Sequence, residues 1–189
     1  LPDLDVLIDF GGPIENMTYH RGFSHAFVVQ ALAAPVLAWL AVRPKSVSDP
    51  FFLRWCLAIY LCFVTHTLAD FFTVYGTQWF WPSTRAPVSL SSIFIVDPAY
   101  TLPLLLGIGG TLWLRRRGAS RTAWPNALGL ALTTLYLGAS LGAKAVIEAR
   151  VERTLALPAG ASEGTVLSTP APLNILLWRI VVVDGESYQ

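Results

Sequence analysis

Residues 51–70 read FFLRWCLAIYLCFVTHTLAD, an apolar run that closes on a histidine and an aspartate. The part from Phe51 to Leu68 is close to the minimum of roughly 17 residues that a helix needs to cross a bilayer. Its end carries His66 and, four residues later, Asp70, which therefore share one helix face. The stretch predicts a membrane-spanning helix with two ionisable side chains at its end.

Three further apolar runs accompany this one. The chain has 189 residues, of which 54% are hydrophobic and 13% charged, and its mean hydropathy is +0.54. This composition excludes an ordinary soluble domain and is typical of a polytopic membrane protein. A buried helix of a large soluble protein is the alternative for any single run, but four runs would require a very large soluble core. The sequence therefore predicts a mainly α-helical protein with about four spans, namely Ala26–Val42, Phe51–Leu68, Ala99–Leu114 and Trp124–Ile147.

The basic residues indicate how these spans are oriented. Seven of the thirteen Lys and Arg residues lie in or beside the loops that join span one to two and span three to four: Arg43, Lys45, Arg54, Arg115, Arg116, Arg117 and Arg121. Short basic loops stay on the cytoplasmic side of the membrane. Residues 1–25, the loop 71–98 and the chain after about Glu148 are then expected on the external face. The formal net charge of +1 gives no indication of a nucleic-acid partner.

The two ends of the chain differ from its apolar centre. The start has neither an initiator Met nor a signal peptide. Near the other end, Asn174–Val183 suits a strand, and Asp184-Gly185 suits a tight turn into a returning strand over Glu186–Gln189. We expect truncation at both ends and three segments: a membrane domain over 1–153, a linker over 154–172, and the start of an extramembrane β-containing domain over 173–189.

All three histidines of the chain lie near acidic residues at the ends of apolar runs. The predicted orientation brings these clusters to the external face, although they are far apart in the chain. Histidine and carboxylate are ligands for borderline divalent ions, so we expect a divalent metal, zinc first and manganese as the alternative. The candidate metal ligands are Asp3, Asp5, His20, His25, His66, Asp70 and Asp97.

Each candidate ligand also has a purely structural interpretation. An aspartate before a span, such as Asp97, is often only a helix cap or an interfacial charge. A lone histidine at a helix end is usually structural. The pair of His66 and Asp70 is harder to explain in that way, because ionisable groups close to hydrocarbon are costly and usually functional. His20 is expected in a loop, and His25 in the first turn of the following helix.

These motifs resemble those of a bacterial family of inner-membrane, metal-dependent hydrolases described as LexA-regulated or YdjM-like. The resemblance covers residues 1 to about 100 and rests on four segments: PDLD at 2–5, HRGFSH at 20–25, HTLAD at 66–70 with TVYGT at 73–77, and IVDP at 95–98. It implies a multi-span helical protein with a metal-hydrolase site on Asp3, Asp5, His20, His25, His66 and Asp70, with Asp97 as a further position.

The chain also departs from this family. Members usually carry a Thr-His element in an earlier helix, and its absence here implies that one ligand is missing from the chain. The His-x-x-x-Asp arrangement is similar to that of zinc phospholipases C, which suggests phosphoester cleavage by analogy alone.

The first functional expectation is a metal-dependent hydrolase at the outer face of a bacterial inner membrane, acting on an amphiphilic or lipid substrate. The metal would lower the pKa of a bound water and polarise the scissile group. Asp5 is the candidate general base, and Arg21 is the candidate partner of an anionic phosphoryl oxygen. A contact to a lipid headgroup is the alternative for Arg21.

The second expectation is a non-catalytic metal-binding membrane protein, either a structurally metallated scaffold or a transporter. A transporter would carry polar ligands near the bilayer midplane, where spans one and three are almost purely apolar. A structural site would be fully ligated, whereas a catalytic site keeps an open position for water. The expected partners are membrane lipids and the substrate, and the sequence does not indicate an oligomeric state.

Overall fold

The computed structural model describes residues 2–44, 46–154, 166–184 and 187–188. The chain divides into two compact units, Leu1–Leu90 and Ser91–Gln189. The helices of the described residues are the 3₁₀ turns Pro2–Leu7 and Phe23–His25 and the α-helices α1 (Pro13–Tyr19), α2 (Phe27–Val42), α3 (Pro50–Phe71), α4 (Pro98–Arg116) and α5 (Trp124–Thr154). The strands are β1 (Val166–Pro170), β2 (Trp178–Asp184) and β3 (Ser187–Tyr188).

The first unit is built on the packed helix pair α2 and α3. Asp49 caps α3 by accepting the Phe51 N–H at 2.9 Å, and Pro50 supplies the fixed φ that suits a first helical turn. Gln30, near the start of α2, donates to the Thr67 hydroxyl, near the end of α3, at 2.7 Å. The two helices therefore run antiparallel, and the start of α2 lies beside the end of α3.

The loop after α3 folds back over this end of the helix pair. Thr77 and Val88 exchange two backbone hydrogen bonds of 3.1 and 2.9 Å, which close the loop on itself. The Phe27 N–H, at the start of α2, donates to the Trp79 carbonyl at 3.1 Å. The loop, the amino-terminal segment and the two helix ends thus meet in one region.

The second unit contains the closely packed helices α4 and α5. A Cβ atom on Gly129 of α5 would lie 2.5 Å from the Pro103 carbonyl oxygen of α4, and one on Gly107 of α4 would lie 2.8 Å from the Pro125 carbonyl oxygen of α5. Glycines at these points let the two backbones approach, as in many membrane helix pairs.

Helices form over all four runs that the sequence predicted as spans. α3 and α5 are each long and apolar enough to cross a membrane, and the bent pair Pro13–His25 and Phe27–Val42, with 59° between its parts, is a third candidate if it counts as one span. α2 alone has 16 residues, and α4 carries two prolines and three glycines, which lower its hydropathy. The prediction of a mainly helical membrane protein is confirmed, whereas the described residues support two or three spans and not four.

The carboxyl-terminal strands form an antiparallel sheet in the order β1-β2-β3. β1 lies inside the stretch predicted as a linker, 154–172, so the linker prediction overlooked a strand that pairs with β2 over its whole length. β2 begins later than the predicted strand, because the Asn174 side chain accepts the N–H groups of Leu176 and Leu177 at 2.9 Å each and holds a turn there. The predicted turn residue Gly185 lies outside the described residues.

Candidate metal site

Four of the seven predicted ligands converge at the junction of α2 and α3. Asp3 comes from the first 3₁₀ turn, His25 from the second, and His66 and Asp70 from the end of α3. Each offers one ligand atom, and these atoms all lie within 4.8 Å of one another. The i, i+4 spacing on α3 and the fold of the amino-terminal segment together bring two imidazoles and two carboxylates to one point.

The distances between imidazole nitrogens and carboxylate oxygens in this group are similar to the ligand–ligand distances around a bound metal ion. His25 Nε2 and His66 Nε2 lie 3.2 and 3.4 Å from Asp70 Oδ2. The same two nitrogens lie 3.5 and 3.0 Å from the two carboxylate oxygens of Asp3. A tetrahedral ion with bonds of roughly 2.0–2.1 Å places its ligand atoms about 3.3 Å apart. These four separations are close to that value, and the four ligand atoms as a set lie within 4.8 Å of one another, so a small contraction would place them around one cation.

The ligand atoms of these four residues are buried without good hydrogen bonds among the described residues. Asp3 Oδ1, His25 Nε2, His66 Nε2 and Asp70 Oδ2 are buried, and none makes a hydrogen bond of good geometry within the part of the chain that the structure describes. A buried polar atom left in this state costs about 1–3 kcal/mol. Two imidazole nitrogens and two carboxylates are a donor set suited to a borderline divalent cation, so these residues could hold one.

Asp5 is not among the four convergent residues, and its carboxylate instead holds the segment from His20 to Ser24. Its Oδ1 is 2.9 Å from His20 Nδ1, and its Oδ2 accepts the Arg21 N–H at 2.8 Å and the Ser24 hydroxyl at 2.6 Å. The His20 ring also packs edge-on against Tyr75, with 5.7 Å between ring centroids. Asp5 and His20 were predicted as ligands, but both are outside the convergent group of four and pair with each other instead.

Arg21 was expected to face the substrate, but its guanidinium contacts the acidic members of the group. Its Nε lies 3.4 Å from Asp3 Oδ1, one terminal nitrogen lies 3.3 Å from Asp70 Oδ1, and the other donates to the Thr73 hydroxyl at 3.1 Å. The side chain is buried, and the residue has a left-handed φ of 59°. Such a backbone conformation costs energy in a non-glycine residue and is common at functional sites.

The turn at residues 18–22 is held in place by Gln78 and by the close packing of Gly22, neither of which was predicted as a site residue from the sequence. Gln78 donates twice to the turn at residues 18–21: its backbone N–H to the Arg21 carbonyl and its side-chain amide to the Thr18 carbonyl, each at 3.1 Å. A Cβ atom on Gly22 would lie 2.8 Å from the Tyr19 carbonyl oxygen, so this turn has no room for a larger residue. No local signal in the sequence pairs residue 78 with residues 18–21.

Gln30 and Thr67 were also overlooked. Gln30 donates to the Ser24 carbonyl at 3.2 Å and to the Thr67 hydroxyl, and both side chains are buried. The amide thereby connects the loop before α2 with the end of α3, the two segments that supply His25, His66 and Asp70. A lone glutamine inside an apolar run was the signal that could have identified it, because polar groups within membrane helices usually have a partner.

Asp97 belongs to the second unit, where it caps α4. Its Oδ1 accepts the Ala99 N–H at 2.9 Å, and its Oδ2 accepts the Tyr136 hydroxyl at 2.7 Å. Both carboxylate oxygens thus have a partner within the second unit. The capping interpretation that the sequence left open accounts for this residue without a metal.

Comparisons with known proteins agree with the membrane character of the fold. The family model described as YdjM inner membrane protein matches residues 1–149. The chain is also similar to the uncharacterized protein YfhP of Bacillus subtilis (strain 168), with 25% identity over 191 residues that cover 99% of this chain and 54% of that protein. It therefore spans about half the length of this relative. No solved structure matches the chain significantly. Because the family match extends over most of the chain, this protein belongs to the family of YdjM inner membrane proteins.

Proposed function

We propose that this protein is a metal-dependent hydrolase of the inner membrane, in which Asp3, His25, His66 and Asp70 bind one divalent cation. Zinc is the first expectation and manganese the second, because imidazole and carboxylate ligands suit both ions. The observation that carries the proposal is the convergence of four buried ligand atoms that have no good hydrogen bonds of their own among the described residues.

The metal, when bound, would supply a water of lowered pKa and polarise the scissile group. His20 is the better candidate for the general base than Asp5. The two oxygens of Asp5 are already occupied by three donors, whereas His20 presents only Nδ1 to that carboxylate. A neutral imidazole that donates from Nδ1 keeps Nε2 free to accept a proton. Asp5 is then the positioning residue that orients this imidazole.

The location of the group favours an amphiphilic substrate. His66 and Asp70 are at the end of α3, which is long and apolar enough to span a membrane, so the site would lie at the boundary between lipid and water. We infer that α2 and α4 also cross the bilayer, which gives four spans and puts the site on the external face by the distribution of basic residues. Phosphoesters and other esters of lipids are the substrate class that we propose.

A structural metal site is the second candidate, and the donor set itself favours it. Four protein ligands would complete a tetrahedral shell and leave no position for water. Asp3 is the ligand whose departure would open the shell, because its side chain is 46% exposed whereas those of His25 and Asp70 are 0% and 11% exposed. For catalysis, Asp3 would therefore have to dissociate from the ion, or the ion would have to accept a fifth ligand.

The proposal is tested by metal content and turnover in the full-length protein. Wild-type protein should bind zinc stoichiometrically, and His66→Ala and Asp70→Ala should purify with their helices intact but without the ion. His20→Ala should keep the metal and lose hydrolysis of a phosphoester or lipid ester. Asp9→Asn, a change of an exposed carboxylate outside the group, is the matched control and should alter neither property.

Two outcomes would contradict the proposal of a metal-dependent hydrolase. If His66→Ala and Asp70→Ala both kept wild-type metal content, the ligand assignment would be wrong. If the wild-type protein held zinc tightly but hydrolysed no ester of the panel, and removing the ion only lowered stability, the structural site would be the better conclusion.

A further inference from the structure

The Ser24 hydroxyl lies between a carboxylate and an imidazole. Ser24 Oγ is 2.6 Å from Asp5 Oδ2 and 2.9 Å from His25 Nδ1. A hydroxyl has one proton to donate, and an ionised carboxylate can only accept. The Ser24 proton must therefore point at Asp5, and the Ser24 oxygen must accept its second hydrogen bond from His25. It follows that His25 carries a proton on Nδ1.

The reverse arrangement is disfavoured by the other partners of Asp5. For Ser24 to donate to His25, the Asp5 carboxyl would have to be protonated and donate to Ser24. Its oxygens already face the Arg21 N–H at 2.8 Å and His20 Nδ1 at 2.9 Å, so Asp5 lies among donors and is stabilised as an acceptor. Charge-assisted hydrogen bonds of this kind are the strong ones.

The tautomer of His25 decides whether it can bind a cation. A neutral imidazole has one N–H, so a proton on Nδ1 leaves a lone pair on Nε2. Nε2 is the atom that faces the two carboxylates of the group, 3.2 Å from Asp70 Oδ2 and 3.5 Å from Asp3 Oδ1. These carboxylates favour a proton on Nε2 when no ion is bound, and a bound cation takes the place of that proton. The opposite tautomer would direct an N–H into the group and could not ligate. The His25 ring is fully buried, so bulk water cannot take the place of the Ser24 hydroxyl.

We propose that Ser24 is a positioning residue that, held by Asp5, keeps the proton of the metal-bound His25 on Nδ1, so that Nε2 is the atom that binds the metal. This inference rests on the proposed metal site. It also gives Asp5 two tasks, because the same carboxylate orients His20 through its other oxygen. Gln30 supports the arrangement by donating to the Ser24 carbonyl at 3.2 Å, which fixes the backbone of the residue.

The tautomer can be measured in the zinc-loaded protein, where the ion replaces any proton on Nε2. Full-length protein with ¹⁵N-labelled histidine, in detergent micelles and loaded with zinc, should give an imidazole pattern for His25 with Nδ1 protonated and Nε2 bound to the ion. Ser24→Ala should lose this fixed pattern, and Ser24→Thr, which keeps the hydroxyl, should restore it. In a chelator competition, Ser24→Ala should bind zinc about 10–100-fold more weakly than wild type, as is typical of outer-shell partners. Ser24→Thr should stay within a few-fold, and Ser83→Ala, an exposed serine, is the control.

Asp5→Asn provides a second variant if Ser24→Ala does not fold. The amide can donate to Ser24, which would then donate to His25 and favour the Nε2–H tautomer, so zinc affinity should fall although Asp5 is not a ligand. A zinc-loaded wild-type His25 that carries its proton on Nε2, or that binds through Nδ1, would overturn the inference whatever the variants do. Unchanged tautomer and unchanged zinc affinity in Ser24→Ala would overturn it too and leave the metal proposal standing. A wild-type protein that binds no zinc would instead refute the proposed function.

Discussion

At the scale of single residues, Arg21 is the side chain whose role the structure changes most. Its guanidinium lies 3.3–3.4 Å from one oxygen of each carboxylate in the candidate metal site and donates to Thr73. A planar guanidinium can serve three partners at once, whereas an ammonium is a point charge. Arg21 thus neutralises part of the negative charge of Asp3 and Asp70 and holds both carboxylates in position.

We predict that Arg21→Lys lowers zinc affinity about 10–100-fold, the range found for outer-shell partners, because the charge is kept but the orientation of Asp3 and Asp70 is lost. The measurement is competition with a chelator. Arg85→Lys, at an exposed position of the loop after α3, is the control and should have no effect. Unchanged zinc affinity together with lost turnover would instead favour the substrate contact that the sequence suggested for Arg21.

At the scale of elements, the packing of α4 against α5 depends on glycines at defined points. Gly129 is buried at a point where an added Cβ would lie 2.5 Å from the backbone oxygen of Pro103. Gly138, two and a half turns further along α5, is exposed, and no atom of the described residues lies within 4 Å of an added Cβ. Substitutions at these two positions therefore distinguish the effect of helix–helix contact from the effect of helix propensity within α5.

We predict opposite effects on stability for the two alanine substitutions. Gly129→Ala should destabilise the protein by about 1–3 kcal/mol, because the backbone of α4 must move away. Gly138→Ala should be neutral or stabilising by up to about 1 kcal/mol, since alanine is the better helix former. Thermal unfolding in detergent measures both effects. Equal melting temperatures for the two variants would show that α4 and α5 do not pack as described.

At the scale of the whole molecule, the distribution of arginines and lysines predicts an orientation in the membrane. The short loops after α2 and after α4 are basic, whereas the loop after α3 contains only Arg85. Basic short loops are retained in the cytoplasm. The candidate metal site, at the other end of α2 and α3, is then expected on the external face.

Single cysteines test this orientation in intact cells. In a background without Cys56 and Cys62, a cysteine at Ser46 or Ser120 should resist a membrane-impermeant thiol reagent, whereas one at Ser83 should react. Permeabilised cells are the control, since all three positions should then react. The reverse pattern of protection would place the candidate site on the cytoplasmic side and contradict the proposal of an external substrate.

How much could be predicted from the sequence differs between the fold and the candidate site. Hydropathy adds up residue by residue along the chain, so a mainly helical membrane protein was predictable, and each predicted span became a helix. The number of spans was less predictable, because α2 is short and α4 is rich in proline and glycine. β1 was missed because a strand of five residues in a stretch rich in small residues has little periodicity to detect.

The sequence by itself determined the class of the protein, the kinds of candidate metal ligand available and the shared helix face of His66 and Asp70. These are local properties, since composition and the 3.6-residue period of a helix require no knowledge of neighbours. Only the tertiary structure decided that Asp3 and His25 join that pair, while Asp5 turns away to hold His20. Asp3, Asp5 and His25 lie in short 3₁₀ turns, and His20 directly follows α1. Spacing along the chain does not bring such separate short segments together, so long-range hydrogen bonds and packing made the selection.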